Sequence, residues 1–190
     1  MIIAVALFAT NAVAQEGFGL MGGVNFSSSS TKGMAWKPGG FVGGLYDVCL
    51  SEGLYFQPRL VLSYQENENK EKTRYYSQWA VTVPLLASFQ FNISENATVR
   101  LNVGPYIRYA AFGRYKYWTI GTDGKTVNEG GLGWWHGSFG DRTHVGLQAG
   151  IQATFGRWFA TADYMHSFKR MEVNVGGFEN TVLLGVGVKF

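Results

Sequence analysis

The side chains best suited to acid–base chemistry near neutral pH are the three histidines, His136, His144 and His166. Asp141 lies three positions before His144, and Ser167 follows His166 directly. If the segments around 144 and 166 are neighbours, a serine, two histidines and a carboxylate could gather at one end of the molecule. Such a set can activate a hydroxyl for attack on an ester or amide. No lipase or palmitoyltransferase motif surrounds these residues, so the expectation is that the chain is not an enzyme. Cys49, the one cysteine, excludes an intramolecular disulfide and a cysteine-based metal cluster. No cofactor or metal is expected.

A second group of polar residues is more telling, because it follows a period. Asp47, Arg59, Arg100, Arg108, Gln148, Gln152 and Asp163 all occupy the polar phase of segments in which every second residue is apolar. The clearest such segment alternates Val145, Leu147, Ala149, Ile151, Ala153 and Phe155 with His144, Gly146, Gln148, Gly150, Gln152 and Thr154. A period of two belongs to strands and not to helices. It predicts eight strands, at roughly 17–26, 39–50, 54–65, 75–91, 98–112, 144–155, 158–168 and 181–190. Their connections alternate between short (51–53, 92–97, 156–157) and long (27–38, 66–74, 113–143, 169–180). In the longest, residues 115–120 keep the strand pattern and Thr122-Asp123-Gly124-Lys125 carries a hairpin signal. The fifth strand is therefore expected to extend and fold back before Gly130. A ten-stranded arrangement is the alternative if that hairpin joins the wall.

Composition identifies the surroundings of these strands. Aromatic residues make up 16% of the 190-residue chain, glycines number 26, and charged residues fall to 15%, against about 25% in soluble domains. No apolar run is long enough for a transmembrane helix. The apolar phase of the strands carries no ionised residue, whereas a soluble barrel needs a charged exterior. Its Leu, Ile, Val, Trp and Phe side chains would also overfill an eight-stranded interior, which is only wide enough to be packed with side chains. Aromatic residues such as Phe18, Trp79, Phe155, Trp158 and Phe168 lie near the predicted strand ends, as interfacial girdles require. The apolar face therefore points to lipid. The fold class is a transmembrane antiparallel up-and-down β-barrel, with short turns on one rim and long loops on the other.

Inward charges must then pair with one another. If Leu50 faces Leu54 across the first tight turn, Asp47 lies against Gln57 and diagonal to Arg59. If Gln90 faces Thr98 across the second, Ser88 meets Arg100 and Thr82 meets Tyr106. The seven polar residues are accordingly expected to form a structural interior plug rather than an ion path. A net charge of +3, without a basic stripe, gives no reason to expect a nucleic-acid partner. Residues 1–9 are apolar and Ala12-Val13-Ala14 has the small-x-small form of a cleavage site. Residues 1–14 are expected to be a signal peptide, leaving 15–190 as one barrel domain. No Lys or Arg precedes that apolar core, so either the start lies too late or the signal is atypical.

Several stretches carry a resemblance. GFGLMGGVNFSS at 17–28, YFQPRLVLSY within 40–65, VPLL at 83–86, LNVGPYIRY at 101–109 and VGLQAGIQATF at 145–155 are together similar to the PorT-like outer-membrane β-barrel family. The closing LLGVGVKF resembles the signal by which barrel-assembly machinery recognises its clients through a terminal aromatic, here Phe190. The resemblance implies an eight-stranded barrel in the outer membrane; in a Gram-negative envelope the even strand count leaves both termini periplasmic, and lipopolysaccharide is the expected lipid partner. The founding member's association with type IX secretion does not transfer from a barrel pattern alone.

The functional expectation is a non-enzymatic barrel whose extracellular loops meet an envelope or secretion partner or a ligand, or which has a structural role. A narrow pore for small solutes is the second reading and a lipid-modifying rim enzyme the third. Trp134, Trp135 and His136 in the longest loop are the candidate contact. They suit a partner, glycan or headgroup, or equally a place in the aromatic belt.

Overall fold

The computed structural model describes residues 17–29, 34–69, 74–121, 124–132, 142–170 and 178–190. These form strands β1 (Gly17–Ser29), β2 (Met34–Ala35), β3 (Lys37–Ser51), β4 (Leu54–Asn69) and β5 (Arg74–Ser94). They continue as β6 (Ala97–Gly121), β7 (Gly124–Leu132), β8 (Thr143–Phe155), β9 (Trp158–Arg170) and β10 (Phe178–Lys189). The wall is a closed antiparallel barrel of eight strands in the order β4-β3-β1-β10-β9-β8-β6-β5, with β5 returning to β4. Closure leaves the wall without an open strand edge, the condition for a strand protein to sit in hydrocarbon. Among the described residues no helix is long and apolar enough to cross a membrane.

The ten-stranded alternative does not form. β7 pairs with the outer part of β6, from Gly121 opposite Gly124 to Gly113 opposite Leu132. Further down, β6 pairs directly with β8, from Ala97 opposite Phe155 to Tyr109 opposite Thr143. The hairpin thus rises beyond the wall. Predicted strand ends fall short elsewhere too: β4 runs to Asn69 and β10 begins at Phe178. The polarity of the sequence marks where lipid ends, but a hydrogen-bonded ladder can continue into water on polar side chains.

The tight turns lie together on one rim. Gly53 and Gly156 adopt φ of 76° and 56°, a region that costs other residues energy and glycine almost nothing. Leu54 pairs with Ser51 and not with Leu50, and a bulge between Cys49 and Ser51 restores the expected register above it, with Leu45 opposite Arg59 and Val48 opposite Phe56, so that Asp47 lies against Gln57. The second hairpin is offset by two residues from the expected pairing. Its strands run on to Ser94 and Ala97, with a bulge beside the turn, so Gln90 meets Arg100, Ser88 meets Asn102, and Thr82 meets Arg108. A shift of two preserves which face each side chain takes, so the division into inner and outer residues is unaffected.

That division is strict. Val42, Leu60, Leu101, Ile107, Leu147, Ile151 and Val186 are all exposed on the outside, Val186 to 65%. Asp47, Arg59, Arg100, Arg108, Gln148, Gln152 and Asp163 are buried within. The interior is not polar throughout, however. Met21, Phe41, Leu45, Val61, Phe159, Met165 and Leu183 form an apolar cluster inside, joined by Tyr106. Glycines make room for it: a Cβ on Gly187 would lie 2.3 Å from Phe159 Cζ, and one on Gly185 2.7 Å from Phe41 Cζ. The mixed large and small inner residues fill the bore as native packing requires.

Candidate functional site: the barrel interior and its long-loop rim

The interior polar residues form two networks along the barrel axis. The lower one lies near the short turns and centres on Asp47. Its Oδ2 takes Arg100 Nη1 at 2.6 Å and Lys189 Nζ at 2.5 Å, and its Oδ1 accepts from Gln57 Nε2 at 2.6 Å. Gln57 Oε1 accepts from Arg59 Nε at 2.8 Å, and Arg59 Nη1 reaches Asp163 Oδ2 at 3.0 Å. Gln57 Nε2 also reaches Gln152 Oε1 at 3.3 Å. The Arg100 guanidinium lies 4.1 Å from the ring centre of Tyr55, which is fully buried, a cation–π contact strengthened by loss of water.

The upper network centres on Arg108. Its Nη1 meets Glu179 Oε1 at 2.7 Å and Gln65 Oε1 at 3.2 Å, while Nε donates to Thr82 Oγ1 at 3.2 Å. Gln78 Nε2 donates to Gln65 Oε1 at 3.0 Å, Gln65 Nε2 to Thr181 Oγ1 at 3.3 Å, and Thr181 shares a hydrogen bond with Ser27 at 3.2 Å. Sequence reasoning placed Arg108 among the inward cations but missed its acid, because Glu179 lies in a segment read as loop. Lys189, the penultimate residue, is a second partner of Asp47 that the seven-residue set did not include. Gln148 is buried at the level of the apolar cluster and, with Arg59, Arg108 and Asp163, lines an interior cavity of only about 10 Å³. That is about the space of a single water molecule.

The rim residues do not converge as the chemistry would require. His144 and Ser167 are buried and point inward, and Ser167 Oγ donates to the Lys169 carbonyl at 3.1 Å. His166 takes the opposite face of β9, where it flanks Phe168 and Phe178 at 5.8 and 5.7 Å. Adjacent residues on a strand point to opposite faces, so His166 and Ser167 cannot serve one reacting centre from the same strand. Asp141, Trp134, Trp135 and His136 lie outside the described residues, as do residues 1–14. Among the described residues, no group of three or more His, Cys, Asp or Glu side chains is placed to hold a metal ion.

Above the outer aromatic ring of Tyr64, Trp79 and Phe112, polar contacts continue. Tyr64 and Tyr75 both donate to Glu66 Oε1, at 2.6 and 2.8 Å, and Lys37 pairs with Glu68. Burial, followed by the hydrogen bonds to Tyr64 and Glu66, pushes the Tyr75 phenol well above its usual range. This part of the wall is a hydrogen-bonded collar beyond the apolar band.

A closed eight-stranded wall, lipid-compatible outside and filled inside, is matched by one family model. Residues 13–171 match the outer membrane protein beta-barrel domain. The chain belongs to that family. It is a bacterial outer-membrane barrel. Among solved structures in the same membrane, Neisserial surface protein A is similar over 94% of this chain and 100% of its own, at 12% identity and a TM-score of 0.54. The attachment invasion locus protein Ail of Yersinia pestis covers 93% and 100%, at 12% identity and a TM-score of 0.49. At such identities the likeness concerns the fold. No curated protein matches the sequence.

Proposed function

We propose that this member of the outer membrane protein beta-barrel domain family is a closed, non-enzymatic barrel. Its short-turn rim and both termini face the periplasm, and its long loops present a binding surface outside the cell. The observation that carries this reading is the filled bore. Two ion-paired networks and an apolar layer cross it, and the cavity between them is of water size. Opening an ion path would mean separating buried charge pairs, each of which costs about 3–5 kcal/mol to break. The seven interior residues then act as a structural plug. The PorT-like resemblance supports, as the finer form of this reading, a role beside envelope or secretion proteins, with Phe190 addressing the chain to the assembly machinery. The separation of His166 from His144 and Ser167 supports the non-enzymatic part.

Planar-bilayer recording tests the closed bore. Purified protein should insert without steady channel current. Steady nanosiemens conductance from wild-type protein would favour the narrow pore instead. Deleting residues 130–140 should leave a folded barrel and weaken contact with any partner captured by the wild type; unchanged capture would move the contact away from Trp134, Trp135 and His136. Labelling single cysteines in the long loops of intact cells tests the orientation.

A further inference from the structure

On the outer wall, one stretch of the lipid face is hollowed out. Ala149 stands between Val103 and Tyr164, and Ala162 beside Ile151, so that short side chains floor a groove walled by long ones. The hollow is shallow and wide open to the outside, rimmed by Leu101, Val103, Ile151, Tyr164 and Val182. At the long-loop end it meets a polar trio. Tyr164 Oη donates to Asn180 Oδ1 at 2.8 Å, and His166 Nδ1 lies 2.8 Å from the same oxygen. Whichever way the Asn180 amide is turned, its other terminal atom and Nε2 of a neutral imidazole offer one donor and one acceptor to a neighbour.

The depth of this trio matters. Trp158 and Phe168, both exposed, mark the two ends of the outward face of β9. Ten residues at about 3.3 Å each, tilted by roughly 40°, span about 25 Å, the height of a barrel's apolar band. Tyr164, His166 and Asn180 therefore lie inside the upper edge of that band, where an unmatched donor or acceptor is costly.

We propose that this face holds one lipopolysaccharide molecule by its lipid anchor, with an acyl chain in the groove and an amide-linked hydroxyacyl group against Asn180 and His166. A donor beside an acceptor suits a group that offers both, as a hydroxyacyl amide does. The acyl esters of a phospholipid offer acceptors alone. The assignment rests on the outward orientation of the long loops proposed above, but the binding chemistry does not, so a purified system separates the two.

Protein refolded into detergent without native lipid can be titrated with lipopolysaccharide or with phosphatidylethanolamine and read by native mass spectrometry. One lipopolysaccharide per barrel is expected to be retained in preference to phosphatidylethanolamine. Ala162→Phe, which fills the groove, should weaken retention at least about tenfold, and Asn180→Leu about fivefold through loss of its hydrogen bond. Val42→Phe on the opposite wall should leave it unchanged. All three positions face outward, and heat-dependent gel migration verifies the fold; Ala149→Phe replaces Ala162→Phe if that variant misfolds. Equal retention by every folded variant, preference for phosphatidylethanolamine, or a protein dimer in place of bound lipid would each overturn the proposal.

Discussion

The two interior networks differ in how they are put together. Around Asp47, several contacts join residues close in sequence: Asp47 with Gln57, Gln57 with Arg59, Gln90 with Arg100. These lie within a few residues of the tight turns, whose geometry sets the local register. Around Arg108 the contacts join distant strands: Arg108 with Glu179, Gln65 with Thr181, Ser27 with Thr181. They exist only once β1 and β10 close the barrel. Closure serves both halves, through Asp47–Lys189 and Arg59–Asp163 below and Arg108–Glu179 above, but the short-turn half adds hairpin contacts within its own network.

The largest expected effect comes from the lower network. Asp47→Ala removes the carboxylate shared by Arg100, which keeps Gln90, and Lys189, and should cost toward the upper end of about 3–5 kcal/mol, measured by urea unfolding in lipid vesicles. Glu179→Ala strands one cation, which keeps Gln65 and Thr82 as partners, and should fall at the lower end of that range. If Glu179→Ala costs more than Asp47→Ala, the long-loop network and not the short-turn one dominates stability. The double variant should then be additive within about 0.5 kcal/mol if the networks are independent; strong coupling would mean that the apolar layer does not separate them.

That layer can be probed on its own. Gly187→Ala brings a Cβ to 2.3 Å from Phe159 and 2.4 Å from the Leu20 carbonyl, and overpacking should cost about 1–3 kcal/mol. Gly22→Ala, where the nearest atom lies at 3.4 Å, should be nearly silent in the same assay. The smallest effect is expected outside the band. Lys37→Ala breaks the Glu68 pair, which is partly exposed, and should cost less than about 1 kcal/mol. A larger loss would show that the collar above the membrane helps to hold the barrel closed.

The first hairpin was read one residue out at the turn itself, where Leu54 meets Ser51, but the bulge beside it returns Asp47 to the expected place against Gln57. The second was read two residues out, because the sequence does not announce that β5 and β6 continue to Ser94 and Ala97. Glu179 was missed for a related reason: strand pairing outlasts the apolar alternation. The groove over Ala149 and Ala162 had no sequence signal at all, since a small residue in the lipid phase reads like any other apolar one.

The sequence by itself determined the strand period and which side chains face lipid, because a period of two divides every strand without reference to its neighbours; that the wall has eight strands and not ten was settled by the pairing of β6 with β8. It also determined that inward charges must find partners. Which partner each one takes was decided by the tertiary structure. Closure and strand stagger bring Arg108 to Glu179, Asp47 to Lys189, and Tyr164 to the edge of a groove. Those distances depend on the whole wall at once, and no single segment carries them.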